Sequence, residues 1–211
     1  SQNFLDLSAD DGDEITALEL FADRLLIFKK RNLIIWNIAS EGKELQEGEF
    51  KFRGAARPSH VTRTDKGIAW MNSSGVFLYN GDTVIDLFEK ENIKLIDYNW
   101  YYERFTTGIG AIGEANPGGG EMAEHAAIGY DPNDRRLFVF GRTDDPERES
   151  YQSMLAYHFI TQAWSYTRKP FSVVLSRCRK TNIINFPDGR CGMVSTLDPA
   201  LVTNVQPVSC G

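Results

Sequence analysis

Three short stretches of this chain share one shape: Asn32–Ser40 (NLIIWNIAS), Gly75–Asp82 (GVFLYNGD) and Leu155–Ser165 (LAYHFITQAWS). Each is an apolar strand that runs into a tight turn, with a large aromatic (Trp36, Tyr79 or Trp164) near that turn. Extended to its neighbours, the shape becomes a repeat. A turn carrying Asp with Arg, Lys or Gly (FADR, RTDKG, DPNDRR) leads into a strand (LLIF, IAWM, LFVF). A hairpin and a second strand follow (LIIWNI, VFLYN, LAYHF), then a turn and a last strand (ASEGKEL, GDTVIDL, ITQAWSY). A fourth copy is expected over Phe171–Leu197, where TNIINF and CGMVSTL flank the turn PDGR.

The alternation is period two, and the runs are short, β-branched or aromatic, and bounded by Gly, Asn, Asp and Ser, as in antiparallel hairpins. Arg24–Phe28 and Leu33–Ile38 are joined by KKRN, Ile68–Asn72 and Val76–Tyr79 by SSG. Leu137–Gly141 and Met154–Phe159 are joined by the longer acidic tip RTDDPERESYQ. Helical periodicity is scarce; Thr83–Ile96 is the best stretch for a helix, and a strand followed by a turn fits it equally. Four-stranded units recurring at roughly 40–50 residues are the sequence sign of β-propeller blades. The expected fold is therefore all-β, a complete, partial or irregular propeller of four-stranded antiparallel blades. Residues 1–14 form an acidic lead-in and 15–211 the blades, with a Gly-rich insert at Gly108–Gly120. In such a stack Trp36, Tyr79 and Trp164 belong to the core between blades, each burying about 150–250 Å².

Three or four blades seldom close a ring, since propellers have about four to eight. The absence of an initiating Met and the ending at QPVSCG favour a ring completed by sequence outside this chain.

Bulk properties narrow the function. The chain has 211 residues, 42% hydrophobic and 25% charged, the balance of a globular protein. No apolar run reaches the ~20 residues of a membrane span, and the start SQNFLDLSAD is no signal peptide. The net charge of −6 argues against general nucleic-acid binding, which needs a basic surface to displace counterions. Cys178, Cys191 and Cys210 are odd in number and lack C-x-x-C spacing, which suits a reducing compartment.

Two families are similar in their motifs. Leu137–Ser165 resembles a kelch blade, an apolar strand ending in Gly, a Tyr-bearing strand, a turn and Trp; the kelch Gly-Gly pair is replaced by Gly141-Arg142, and the other units lack the pattern. The broader likeness runs through Asp10–Ile38, Arg57–Leu87, Ala126–Gly141 and Tyr157–Ser165. These segments resemble propeller domains of tailed-bacteriophage virion proteins, those of tail nozzles, connectors and DNA-stabilisation components. That resemblance implies a structural protein in a symmetric assembly, located in the virion after assembly in the host cytoplasm. Its partners would be further copies of itself and neighbouring virion proteins. A propeller glycosidase or lyase, or a kelch-like protein-binding adaptor, is the alternative.

No catalytic, cofactor-binding or metal-ligating residue is assigned. Gly108–Gly113 (GIGAIG) is a literal G-x-G-x-x-G, yet no buried strand precedes it, and Pro117 and Gly118–Gly120 break any helix after it. It reads as a loop that contacts a neighbouring subunit. Ser8–Ile15 (SADDGDEI) lacks the ligand spacing of a calcium loop. Asp144, Asp145, Glu147 and Glu149 alternate with Arg142 and Arg148 around Pro146, as at an exposed hairpin tip. His60, His125 and His158 are too scattered for a metal site, and His158 is expected to be a hydrogen-bonded packing residue. No G-x-S-x-G occurs. Pro58, Pro132, Pro187 and Pro199 fall at turns or strand beginnings. Lys51, Arg53, Arg57, Arg63 and Lys66 form a local basic cluster suited either to an acidic partner surface or to solvent.

Overall fold

The structure, a computed structural model, describes residues 12–39, 45–106, 126–143, 151–170, 182–185, 191–194 and 207–208. It is built from up-and-down antiparallel sheets taken in chain order. Sheet A comprises β1 (Ile15–Phe21), β2 (Arg24–Lys29), β3 (Leu33–Asn37) and β4 (Leu45–Phe50). Sheet B comprises β5 (Val61–Thr64), β6 (Gly67–Asn72), β7 (Gly75–Tyr79) and β8 (Val84–Asp86). A two-residue ladder of β9 (Glu89–Lys90) and β10 (Ile93–Lys94) leads to helix α1 (Tyr98–Phe105). Sheet C comprises β11 (Ala127–Asp131), β12 (Arg136–Thr143), β13 (Tyr151–His158) and β14 (Ala163–Pro170). Sheet D has three strands, β15 (Asn182–Asn185), β16 (Cys191–Val194) and β17 (Pro207–Val208).

The all-β class and the four-stranded antiparallel units agree with the repeat. Every hairpin read from the sequence pairs as expected: Leu26 opposite Ile35, Trp70 opposite Phe77, Val139 opposite Leu155. Among the described residues each sheet is a separate ladder, and no strand pairing closes a barrel. Of the expected fourth copy the described residues show one hairpin, Asn182–Asn185 paired with Cys191–Val194, and sheet D takes its third strand from Pro207–Val208, beyond the expected range. The Gly-rich insert and the acidic tip at 144–150 lie outside the described residues.

Side chains join what the ladders leave separate. Sheet B is buried on both faces, and its alternation shows how. Ile68, Trp70, Phe77 and Tyr79 face sheet A, where they meet Leu26, Phe28, Leu33 and Ile35. Ala69, Met71, Val76 and Leu78 face the other way, against Ile128, Leu137, Val139, Leu155 and Tyr157 of sheet C. A strand packed on both sides needs apolar residues at consecutive positions, hence the unbroken IAWM and VFLY. Trp70 is fully buried with Phe28 edge-on at 5.3 Å. Where backbones of different sheets approach most closely, the first strand of a sheet takes part: β1 beside β6, and β11 beside β5, β6 and β15. The sheets converge at their first strands, and the space further out is filled by large side chains.

The one α-helix among the described residues lies just beyond the stretch that the sequence left open between a helix and a strand followed by a turn. Thr83–Ile96 holds β8, β9 and β10, and the helix lies after it. Asp97 caps it, its Oδ1 accepting from the Trp100 amide at 2.9 Å. Tyr101 and Phe105, four residues apart, put two rings on one face, stacked at 4.7 Å and buried between sheets B and C.

Asx turns account for much of the hairpin chemistry. Asn72 accepts from the Ser74 amide at 2.8 Å, Asn80 from the Thr83 amide at 2.9 Å, and Asp131 from the Asn133 amide at 2.9 Å. The β5–β6 turn depends on Gly67, whose φ of +141° disfavours a side chain. A Cβ there would stand 1.8 Å from the Tyr79 carbonyl oxygen.

Candidate functional site

Two features of the described residues could carry function: the interfaces that lock the sheets together, and a groove at their rim.

The A–B interface is fastened at its edges by polar contacts. Arg63 donates from its guanidinium to the Leu20 carbonyl and lies 3.8 Å from the Glu19 carboxylate. Arg53 sits over the Phe77 ring at 4.3 Å. Two members of the basic cluster are therefore engaged in contacts within the fold. Asn72 Nδ2 donates to the carbonyls of Phe52 and Gly54, each at 3.0 Å, tying the A–B linker to the β6–β7 turn. In the lead-in, Asp13 accepts from the Arg31 amide at 3.0 Å, so this carboxylate holds the β2–β3 turn.

Among the described residues, hydrogen bonds from α1 and from sheet C cross to sheet B. Tyr101 donates its hydroxyl to the Asn72 carbonyl at 3.0 Å. Tyr130 donates to the Asp65 carboxylate, which also lies 3.5 Å from Arg135. The Trp164 indole N–H donates to the Leu87 carbonyl at 2.8 Å. Burial raises the phenol pKa of Tyr101 and of Tyr130, the latter aided by Asp65, so both stay protonated donors.

His60 ends a short 3₁₀ turn opened by Pro58, just before β5, and its side chain is fully buried. Its ring nitrogens have no hydrogen-bond partner among the described residues. Burial pushes its pKa down to about 4, the Arg57 charge adds to that, and the Ala126 backbone, off hydrogen-bonding geometry, opposes it only in part. It is a neutral core residue. His158 is half-buried, and its Nδ1 accepts from the Thr161 amide at 3.2 Å, a turn-holding role.

The aromatics of the repeat divide. Tyr79 lies in the A–B core and donates its hydroxyl to the Gly81 carbonyl at 3.0 Å. Trp164 lies in the B–C core, 5.4 Å from Phe88 and 5.0 Å from Tyr157. Trp36 does not follow them. It alternates with Leu33 and Ile35 onto the opposite face of sheet A, half-buried, and its indole N–H has no partner among the described residues. Trp36 takes that face because side chains alternate along a strand, and Leu33 and Ile35 hold the face turned to sheet B.

The groove lies between α1 and the start of β14, about 480 Å³, walled by Trp100, Trp164 and Tyr166, with Asp97, Gln162 and Ser165 among its polar groups. The sequence reading missed it because its two walls come from segments far apart in the chain, and rings at sheet rims usually read as core. The cap residue Asp97 and the Tyr101/Phe105 spacing were the available signals for its helical wall.

Among the described residues no group of three or more His, Cys, Asp or Glu could hold a metal ion. No helix there is long and apolar enough to cross a membrane. GIGAIG, the acidic tip, His125, Cys178 and Cys210 lie outside the described residues. No protein-family model matches the chain, and a search of curated proteins found no match either.

Proposed function

We propose that the chain is a structural component of a tailed-phage virion, its sheets acting as blades of a propeller that serves as a rigid scaffold in a symmetric assembly. The observation that carries this reading is sheet B, buried on one face by the sheet before it and on the other by the sheet after it. Radial stacking of blades has this form, and the convergence of first strands supports it. The virion assignment is supported by the segments from Asp10 to Ser165 that resemble phage propeller domains.

The same stacking marks where the scaffold would continue. The first strands of sheets B and C are almost wholly buried, whereas on β1 Leu18 and Leu20 are 58% and 46% exposed. They alternate with Ala17 and Phe21, which pack towards sheet B, so they face away from it. A closing blade or a neighbouring subunit would pack there. Negative-stain imaging of the native protein tests the proposal. Rings or tail-like particles of defined symmetry are the expected result; a field of single small particles contradicts it.

A further inference from the structure

The groove at the rim of sheet C has fixed aromatic walls and polar groups beside them. Its walls are fixed from behind. Trp164 is anchored by its bond to the Leu87 carbonyl, and the Tyr166 hydroxyl lies 3.2 Å from Ser153 Oγ. Trp100 meets Tyr166 edge-to-face at 4.8 Å, and the Arg104 guanidinium lies over the Trp100 ring at 4.8 Å. Rings held in this way lose little freedom when a ligand arrives. Gln162 sits in a left-handed turn position, φ +53°, fixed by its own amide bonding the His158 carbonyl at 2.7 Å.

Against these walls stand polar atoms with capacity to spare. The Gln162 side-chain amide has no partner among the described residues, and Asp97 commits Oδ1 to the helix cap and leaves Oδ2. One amide and one carboxylate oxygen present two N–H donors and two acceptor oxygens beside aromatic surface. Among the described residues lining the groove Asp97 is the one charged group, and the guanidinium of Arg104 is held over the Trp100 ring, so the lining itself offers an anion no cation. The fitting ligand is neutral, carries hydroxyls along one edge and C–H groups on a face, and suits a volume within the ~300–1,000 Å³ of small-molecule sites.

We propose that this groove binds a neutral sugar of mono- or disaccharide size, its ring face against Tyr166 and its hydroxyls on Gln162 and Asp97. The site stands apart from the scaffold reading, because it lies within one copy of the chain.

The test is saturation-transfer NMR and tryptophan fluorescence on the full chain with galactose, N-acetylglucosamine and cellobiose, up to about 10 mM. At least one sugar is expected to bind saturably and to perturb the indole emission. Gln162→Gly, which keeps the turn conformation and removes the amide, is expected to weaken binding about tenfold or more. Tyr166→Ala is expected to abolish it. Three results would overturn the proposal: no sugar binding over that range, binding unchanged by Gln162→Gly, or displacement of the sugar by tetramethylammonium, which would make the groove an aromatic cage for cations.

Discussion

The indole N–H of Trp164, at the start of β14, donates to the carbonyl of Leu87, just past the end of β8, at 2.8 Å. The bond crosses from sheet C to sheet B, 77 residues back along the chain, at the rim where the two sheets have diverged. Trp164→Phe keeps the ring contacts with Phe88 and Tyr157 but leaves that carbonyl without its donor. The expected loss is about 1–2 kcal/mol in urea unfolding. Trp36→Phe, which breaks no such bond, is expected to cost less than about 1 kcal/mol.

Gly67 is the backbone position with least tolerance. Its φ is +141°, and the methyl of an alanine there would stand 1.8 Å from the Tyr79 carbonyl oxygen, which leaves no room for it. Gly67→Ala is expected to lower stability by about 3 kcal/mol or more, read as a fall in the unfolding midpoint. The β5–β6 turn would have to reopen, and the hydrogen bond from Thr64 Oγ1 to the Gly67 carbonyl, 3.0 Å, would go with it.

His60 gives the fold a pH dependence of known sign. Its pKa is about 4 when folded, against an ordinary 6.5. Between those values the unfolded chain binds a proton that the folded chain refuses. The contribution is fully present above pH 6.5 and is lost as pH falls towards 4, by roughly 3 kcal/mol at most. Asp86 and Asp131, raised by burial, act in the opposite direction as pH falls through their range. His60→Leu is therefore the control: stability measured at several pH values is expected to fall less steeply in the variant than in the parent. Parallel curves would show that His60 does not set the slope.

The proposed continuation of the scaffold at the exposed face of β1 is testable separately from folding. Leu18→Arg with Leu20→Arg places two charges where both side chains already meet solvent. The unfolding free energy is expected to stay within about 1 kcal/mol of the parent, while higher-order species disappear from gel filtration. Unchanged assembly would show that this face is not where the scaffold continues.

The strands and turns were legible because their chemistry is local. Period two in LLIF, IAWM and LFVF, the Asx residues Asn72, Asn80 and Asp131, and Gly67 in DKG each state a conformation on their own. The double burial of sheet B was also readable, since the consecutive apolar residues of IAWM and VFLY leave no polar face. Helix α1 was not, because Tyr98, Trp100 and Tyr101 are strand-favouring residues that adopt a helix only with Asp97 capping and sheets B and C to cover Tyr101 and Phe105. Trp36 misled for a related reason. The face a strand residue takes depends on its register, which a similar-looking neighbour in another repeat does not fix. The rim groove was invisible because Trp100 and Tyr166 meet only in three dimensions.

The central claim is that the sheets form a scaffold unit of a larger symmetric particle, and the absolute molar mass of the native protein tests it most directly. Light scattering coupled to gel filtration should return a defined multiple of the 23.8 kDa chain mass. A single species at the mass of one chain, unchanged over a wide concentration range, would contradict the account.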